Sequence, residues 1–172
     1  MGVLAAAALA FLTLSPAPAE AAPPAAPAVR VPLLKGGEIF DSRALIGKKV
    51  LVLRFQASWC KTCAAQAAGL QRVYDRYKGR EVEILAIHVD DTERDARAFL
   101  EARHATYPAA LDPSHRVATR FGFKRAPYTV IVNKRGEIAA RLDATTDEAR
   151  LGAAIETALK PPARRRAPAR PS

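Results

Sequence analysis

The chain has only two cysteines, Cys60 and Cys63, set in Trp59-Cys60-Lys61-Thr62-Cys63. An apolar run, Val50-Leu51-Val52-Leu53, precedes them, and a stretch that reads as a helix follows. Cysteines at i and i+3 on a first helical turn are close enough to bridge, and the positive end of the helix dipole stabilises a thiolate there. A strand, a CxxC and a helix in succession make a working redox couple. The chemistry to expect is thiol–disulfide exchange.

Stepping outward along the chain, Leu33-Leu34-Lys35-Gly36-Gly37-Glu38-Ile39-Phe40 reads as two short extended pieces around a Gly-Gly turn, hence a hairpin. Asp41-Ser42-Arg43-Ala44-Leu45 predicts a single helical turn, and Gly47-Lys48-Lys49 leads into a strand over 50–57. Helix one starts near Cys60; Ala67, Leu70, Tyr74 and Tyr77, with Val73 beside them, share one face at helical spacing, and Gly79 ends it. Residues 82–89 are mostly apolar, as a central parallel strand requires. Thr92 is an N-cap with Asp95 in the first turn of a second helix that runs to about Arg103. A short helix over 113–120 follows a turn at Asp112. Residues 128–132 form a strand, 133–136 a hairpin turn, and 137–142 its antiparallel return. A last helix over 146–160 places Leu151, Ile155 and Leu159 on one face. This order predicts an α/β fold, a central mixed sheet flanked by helices, with an N-terminal hairpin extension.

At 172 residues there is room for one domain with a sizeable core. The first fourteen residues are almost all apolar, and Ala17-Pro18-Ala19 and Ala19-Glu20-Ala21 follow as small-residue cleavage sites. The apolar stretch is shorter than the ~20 residues of a spanning helix. Residues 1–21 are therefore expected to be a cleavable export signal, with an uncleaved anchor as the alternative, and the location is expected to be periplasmic. Residues 22–28 form a Pro/Ala linker, 29–160 the folded unit, and 161–172 a disordered basic tail with four arginines. The net charge is +10, but the cations are scattered without interleaved aromatics, which argues against nucleic acid as a partner. An exported protein of this charge is expected to touch anionic membrane surfaces weakly through its Arg tail.

Four stretches together resemble the TlpA/ResA-like thiol–disulfide oxidoreductases, exported members of the thioredoxin family near its AhpC/TSA branch. They are Gly47-Lys48-Lys49-Val50-Leu51-Val52-Leu53-Arg54-Phe55, Ala57-Ser58-Trp59-Cys60-Lys61-Thr62-Cys63, Tyr107-Pro108-Ala109-Ala110-Leu111-Asp112 and Ala126-Pro127-Tyr128-Thr129-Val130-Ile131-Val132. The resemblance covers about 31–142 and implies a thioredoxin-like fold for 29–160. It also implies that Pro127 is a cis proline facing the CxxC and that the Ala126–Pro127 backbone meets the substrate. Cys60, exposed at the helix start, is then the nucleophile, and Cys63, deeper by one turn, resolves the mixed disulfide. Trp59 shields one side of the site, while Lys61 and Thr62 tune it.

The implied partners are exported protein thiols and disulfides, with a membrane thiol transporter as reductant or oxidant, and the implied role lies in cytochrome c or metal-site maturation. No cofactor or resident metal is expected. Three positions depart from the family pattern. Arg54 stands where an Asp or Asn is usual, Gln66 where the ResA-like branch often has Glu, and Ala68 where a helix proline often follows. No acidic group is then available to take the proton of Cys63. Arg54 either favours the thiolate, and with it the oxidising end of the scale, or extends its stem to solvent or an acidic neighbour.

Two other classes remain open. A copper-binding chaperone would use the paired thiolates with His88, His104 or His115, although such relatives space their cysteines by three residues and this chain by two. A non-redox binding module on the same fold would leave the CxxC incidental. Cytochrome attachment through CxxCH is excluded by Ala64, and a single CxxC supplies half of a structural zinc site.

Overall fold

The computed structural model describes residues 23–161. The expected export signal, and all but the first residue of the expected basic tail, lie outside them. Strands β1 (Arg30–Pro32) and β2 (Ile39–Asp41) pair antiparallel into the expected hairpin. Its turn contains Gly36 and Gly37, both in the left-handed region with φ of 84° and 70°, where a side chain would be strained. The first strand sits a few residues earlier than its apolar pattern suggests. A 3₁₀ turn, Ser42–Leu45, follows, capped by the Asp41 carboxylate on the Arg43 N–H.

The main sheet has five strands in the order β5-β4-β3-β6-β7. Strands β3 (Val50–Gln56), β4 (Val82–Val89) and β5 (Ala109–Asp112) run parallel; β6 (Tyr128–Val132) lies antiparallel to β3, and β7 (Ile138–Leu142) antiparallel to β6. All seven residues of central β3 are buried, and their side chains alternate between two cores. Val50 and Val52 join Ile84, Ala86 and Ile131 beneath α1 (Lys61–Tyr77) and α4 (Glu148–Leu159). Leu51, Leu53 and Phe55 join Leu85, Ile87 and Val130 on the other face, against Ala118 of α3 (Arg116–Arg120), Phe121 and the hairpin's Val31. Helix α2 (Glu93–Ala102) adds Ala96 to the first core, and its N-cap is Thr92, whose hydroxyl accepts from the Asp95 N–H.

Several expectations shift by a turn or less. The buried centre of α1 is Val73, and Tyr74 is only half-buried, edge-on to Tyr107. In α4, Leu151 and Ile155 are buried as expected, but Ala158 rather than Leu159 completes that face, and Leu159 is half-buried; the helix starts after Asp147, which caps the Arg150 N–H. Helix α3 begins three residues later than expected, because the Asp112 carboxylate accepts from the N–H groups of Val117 and Ala118 and fixes the start there.

Two corrections are larger. Residues 109–112 carry no strand pattern of their own, yet they form β5 through parallel pairing with 86–89 of β4. The Pro/Ala segment, expected as a linker, is instead laid against the domain: the Pro24 carbonyl accepts from the Ile138 N–H and the Ala26 N–H donates to the Gly136 carbonyl. Extended Pro/Ala backbone offers carbonyls that a neighbouring strand can use, even where proline has no N–H to give.

Candidate active site

Strand β3 ends at Gln56, and Ala57-Ser58-Trp59 carry the chain to Cys60, the N-cap of α1. Cys60 has extended backbone angles (φ −83°, ψ 105°), and its Sγ accepts from the Cys63 N–H at 3.1 Å, so sulfur takes the place a hydroxyl usually fills at a helix start. The two sulfurs are bonded, with Cα atoms 5.2 Å apart. Cys60 was expected to be exposed; it is 6% exposed and Cys63 1%. Ala57, Ala67 and Phe99 enclose the pair, and Ala126 packs against them from the facing loop. That contact, together with the cap conformation that turns Sγ inward, is what covers Cys60.

The Ala126–Pro127 peptide is cis. Trp59 is 61% exposed, and its indole Nε1–H donates to the Asp90 carbonyl at 3.0 Å. Lys61 and Thr62 are exposed on the first turn of α1.

Arg54 does not extend its stem as the second expectation has it. Its side chain reaches neither solvent nor an acid; the residue is 4% exposed and donates through Nη2 to Gln66 Oε1 at 2.6 Å and through Nη1 to Thr129 Oγ1 at 3.1 Å. Gln66 in turn donates Nε2–H to the Ala144 carbonyl at 2.9 Å. Burial pushes the Arg54 guanidinium down to about 10, opposed by nearby Tyr107, so it remains a cation at neutral pH. Arg54 and Gln66, two of the three departures from the family pattern, are thus direct partners. Glu at 66 would make that contact an ion pair, whereas Gln leaves the arginine charge uncancelled.

Behind the CxxC lies a buried group that the sequence reading did not assemble. His88 is 0% exposed; its Nδ1 is 2.8 Å from Asp91 Oδ2 and its Nε2 2.9 Å from Gln56 Nε2. Asp91 also accepts from the Ser58 N–H and the Ser58 hydroxyl, each at 2.7 Å. Burial lowers the His88 pKa, and the Asp91 carboxylate pulls the other way. With both ring nitrogens engaged, His88 is not placed as a metal ligand. His104 follows α2 and His115 caps α3 against Phe123, so the three histidines do not converge. Among the described residues no three of His, Cys, Asp and Glu come together as a metal site. A strand-end His with Asp three residues on was the signal for this group, but only the fold brings Ser58 and Gln56 to it.

Residues 24–141 match the AhpC/TSA family. The chain belongs to the AhpC/TSA family. Among relatives, the thiol-disulfide oxidoreductase ResA of Halalkalibacterium halodurans is 29% identical over 102 residues, covering 59% of this chain and 57% of the relative. ResA of Geobacillus kaustophilus is 33% identical over 107 residues, covering 61% and 59%. This AhpC/TSA chain therefore matches less than two thirds of the length of those curated relatives. A thioredoxin-family thiol:disulfide interchange protein from Chlorobium tepidum superposes with a TM-score of 0.74 at 19% identity, over 83% of this chain and 100% of that one, which establishes the thioredoxin fold. No helix among the described residues is long and apolar enough to cross a membrane.

Proposed function

We propose that this protein is a thiol–disulfide oxidoreductase that cycles Cys60 and Cys63 between dithiol and disulfide at the expense of thiols and disulfides in other proteins. The observation that carries the reading is the Cys60–Cys63 bond at the N-cap of α1, with Cys60 Sγ already on the Cys63 N–H. In the reduced protein that N–H and the helix dipole favour the Cys60 thiolate. The thiolate attacks one sulfur of a substrate disulfide; the substrate S–S bond breaks, one substrate thiolate leaves, and a mixed disulfide forms. Cys63 then gives up its proton to solvent and attacks Cys60 Sγ, releasing the second substrate thiolate. Two electrons pass to the substrate and the Cys60–Cys63 bond is remade. In the oxidising direction the same steps run backwards.

Ala126 and Pro127, in the loop packed against the disulfide, are the backbone that meets the incoming segment, and exposed Trp59 offers it an apolar surface beside Cys60. Lys61, next to the nucleophile, adds positive charge that favours the thiolate, and Thr62 completes the variable pair of the CxxC. Arg54 supplies a buried cation with no acid beside it, which supports a couple toward the oxidising part of the roughly −270 to −120 mV range of thioredoxin-fold proteins.

The protein works after export, on thiols of exported proteins including cytochrome c or metal-site precursors, and exchanges electrons with a membrane thiol carrier. The apolar N-terminal stretch with its small-residue cleavage sites supports export, and the thiol-disulfide oxidoreductase naming of the relatives supports the chemistry. Equilibration with glutathione buffers, followed by alkylation and mass measurement, tests the reading. A single two-electron transition confined to Cys60 and Cys63 is expected, and a pair that stays oxidised or reduced throughout defeats it.

A further inference from the structure

Four polar side chains line up behind the segment that presents Cys60. A carboxylate whose side chain is only 2% exposed is costly unless its lone pairs are met, and Asp91 meets three donors. Two come from Ser58, through its N–H and its hydroxyl, and the third is His88 Nδ1. Gln56 decides the tautomer. Its Nε2 is an amide NH₂ group and can only donate, so His88 Nε2 accepts and the ring proton sits on Nδ1, facing Asp91. The ring is fixed from the side as well, edge-on to Phe99 with centroids 5.5 Å apart, and Phe99 packs on the cysteine pair.

The same turn holds the next residue along. Asp90 has φ of 53°, uncommon for a residue with a side chain, and its carbonyl accepts from the Trp59 indole. Ser58 and Trp59, the two residues before Cys60, are therefore both gripped by the 90–91 turn. The Cys60 N–H is itself tied back to the Ala57 carbonyl at 3.2 Å.

We propose that His88 is a positioning residue for the disulfide exchange: it orients Asp91, Asp91 grips Ser58, and this fixes where Cys60 Sγ stands relative to the Cys63 N–H and an incoming sulfur. The assignment rests on the oxidoreductase reading above. It gives a role to a buried histidine that otherwise only costs stability, since an apolar side chain could fill its place between Phe99 and β3.

The test uses the full chain with His88→Leu, His88→Asn and Ser58→Ala. The readouts are the rate of exchange with oxidised glutathione, the pH profile of Cys60 alkylation in the reduced protein, and the melting temperature of the oxidised form. His88→Leu is expected to slow exchange by about tenfold and move the alkylation profile to higher pH. His88→Asn, whose side-chain N–H can reach Asp91 from the place of Nδ1–H, is expected to restore most of both. Ser58→Ala, which leaves the buried ring untouched, is expected to slow exchange by about threefold and to lower the melting temperature by a few degrees, because Asp91 loses one donor.

A His88→Leu protein with the parent's rate and profile overturns the assignment, as does a His88→Asn protein that falls as far as His88→Leu. If His88→Leu does not fold, Ser58→Ala decides: parent-like exchange there overturns it. A parent protein that exchanges nothing defeats the oxidoreductase reading itself, whereas an active parent with indifferent variants defeats only the role of His88.

Discussion

Replacing Arg54 by methionine keeps the unbranched apolar stem and removes the charged guanidinium head. The guanidinium lies 2.6 Å from Gln66 Oε1, and Gln66 is one helical turn beyond Cys63. A turn rises ~5 Å, so the cation stands roughly 10 Å from the sulfurs. At an effective dielectric constant of about 20, a unit charge at that distance stabilises a thiolate by about 1.7 kcal/mol. That corresponds to about 1.2 units in the thiol pKa, or about 35 mV in a two-electron couple. The sign follows from the species favoured: losing the cation disfavours thiolate and therefore the reduced form, so the thiol pKa rises and the potential falls.

Folding should barely notice the exchange. Burial that pushes the guanidinium down to about 10 costs on the order of 3 kcal/mol, which methionine recovers. Against this, Gln66 Oε1 and Thr129 Oγ1 lose their donor, at about 1–3 kcal/mol each. Glutathione equilibration and pH-dependent alkylation measure the two redox quantities, with Arg54→Lys as the control that keeps a charge. An Arg54→Met protein that folds as the parent does, yet shows the same thiol pKa and potential, refutes the idea that the buried cation acts on the sulfurs.

Three further outcomes follow from the same geometry. Gln66→Glu puts a carboxylate against the guanidinium and should lower the potential in the same direction as Arg54→Met, measured by the same equilibration; a rise would contradict the assigned field. Cys63→Ser should leave a nucleophile without a resolving partner and accumulate mixed disulfides with glutathione on mass spectrometry, while Cys60→Ser should accumulate none. The lowered His88 pKa gives a window for acid sensitivity. Below the unfolded-state value near 6.5 the unfolded chain binds a proton that the folded chain does not, so stability falls as pH falls, by up to about 1.4 kcal/mol per pH unit, and is unaffected above it. Denaturant titrations from pH 7.5 to 5 should show a shallower acid slope for His88→Asn than for the parent; equal slopes would remove His88 from the account.

The parts of the fold legible in the sequence are those whose own pattern states their environment. Strand β4, Val82–Val89, and strand β6, Tyr128–Val132, match their apolar runs residue for residue, and Thr92 caps α2 through a local contact with Asp95. Strand β5 was not legible, because Ala109-Ala110-Leu111-Asp112 has no β-branched residue and takes its conformation from β4. The site divides the same way. The CxxC is a local motif and announces its chemistry. The fates of Arg54, whose partners are Gln66 and Thr129, and of Asp91, whose partner Ser58 lies 33 residues away, depend on contacts between separate elements. No spacing rule reads those out. The covering of Cys60 escaped for the same reason, since Ala126 packs on the cysteine cluster from the loop before β6, more than sixty residues on.

The N-terminal stretch touches the outermost strands on both sides. Leu34 donates to Ala109 beside β5, and residues 24–26 run along the start of β7. On the function proposed above, contact with substrate chains carries the risk of being recruited into their strands through any open ladder. Here one early segment stoppers a part of each open side, so contact with such chains is steered toward the sulfur and away from main-chain adhesion.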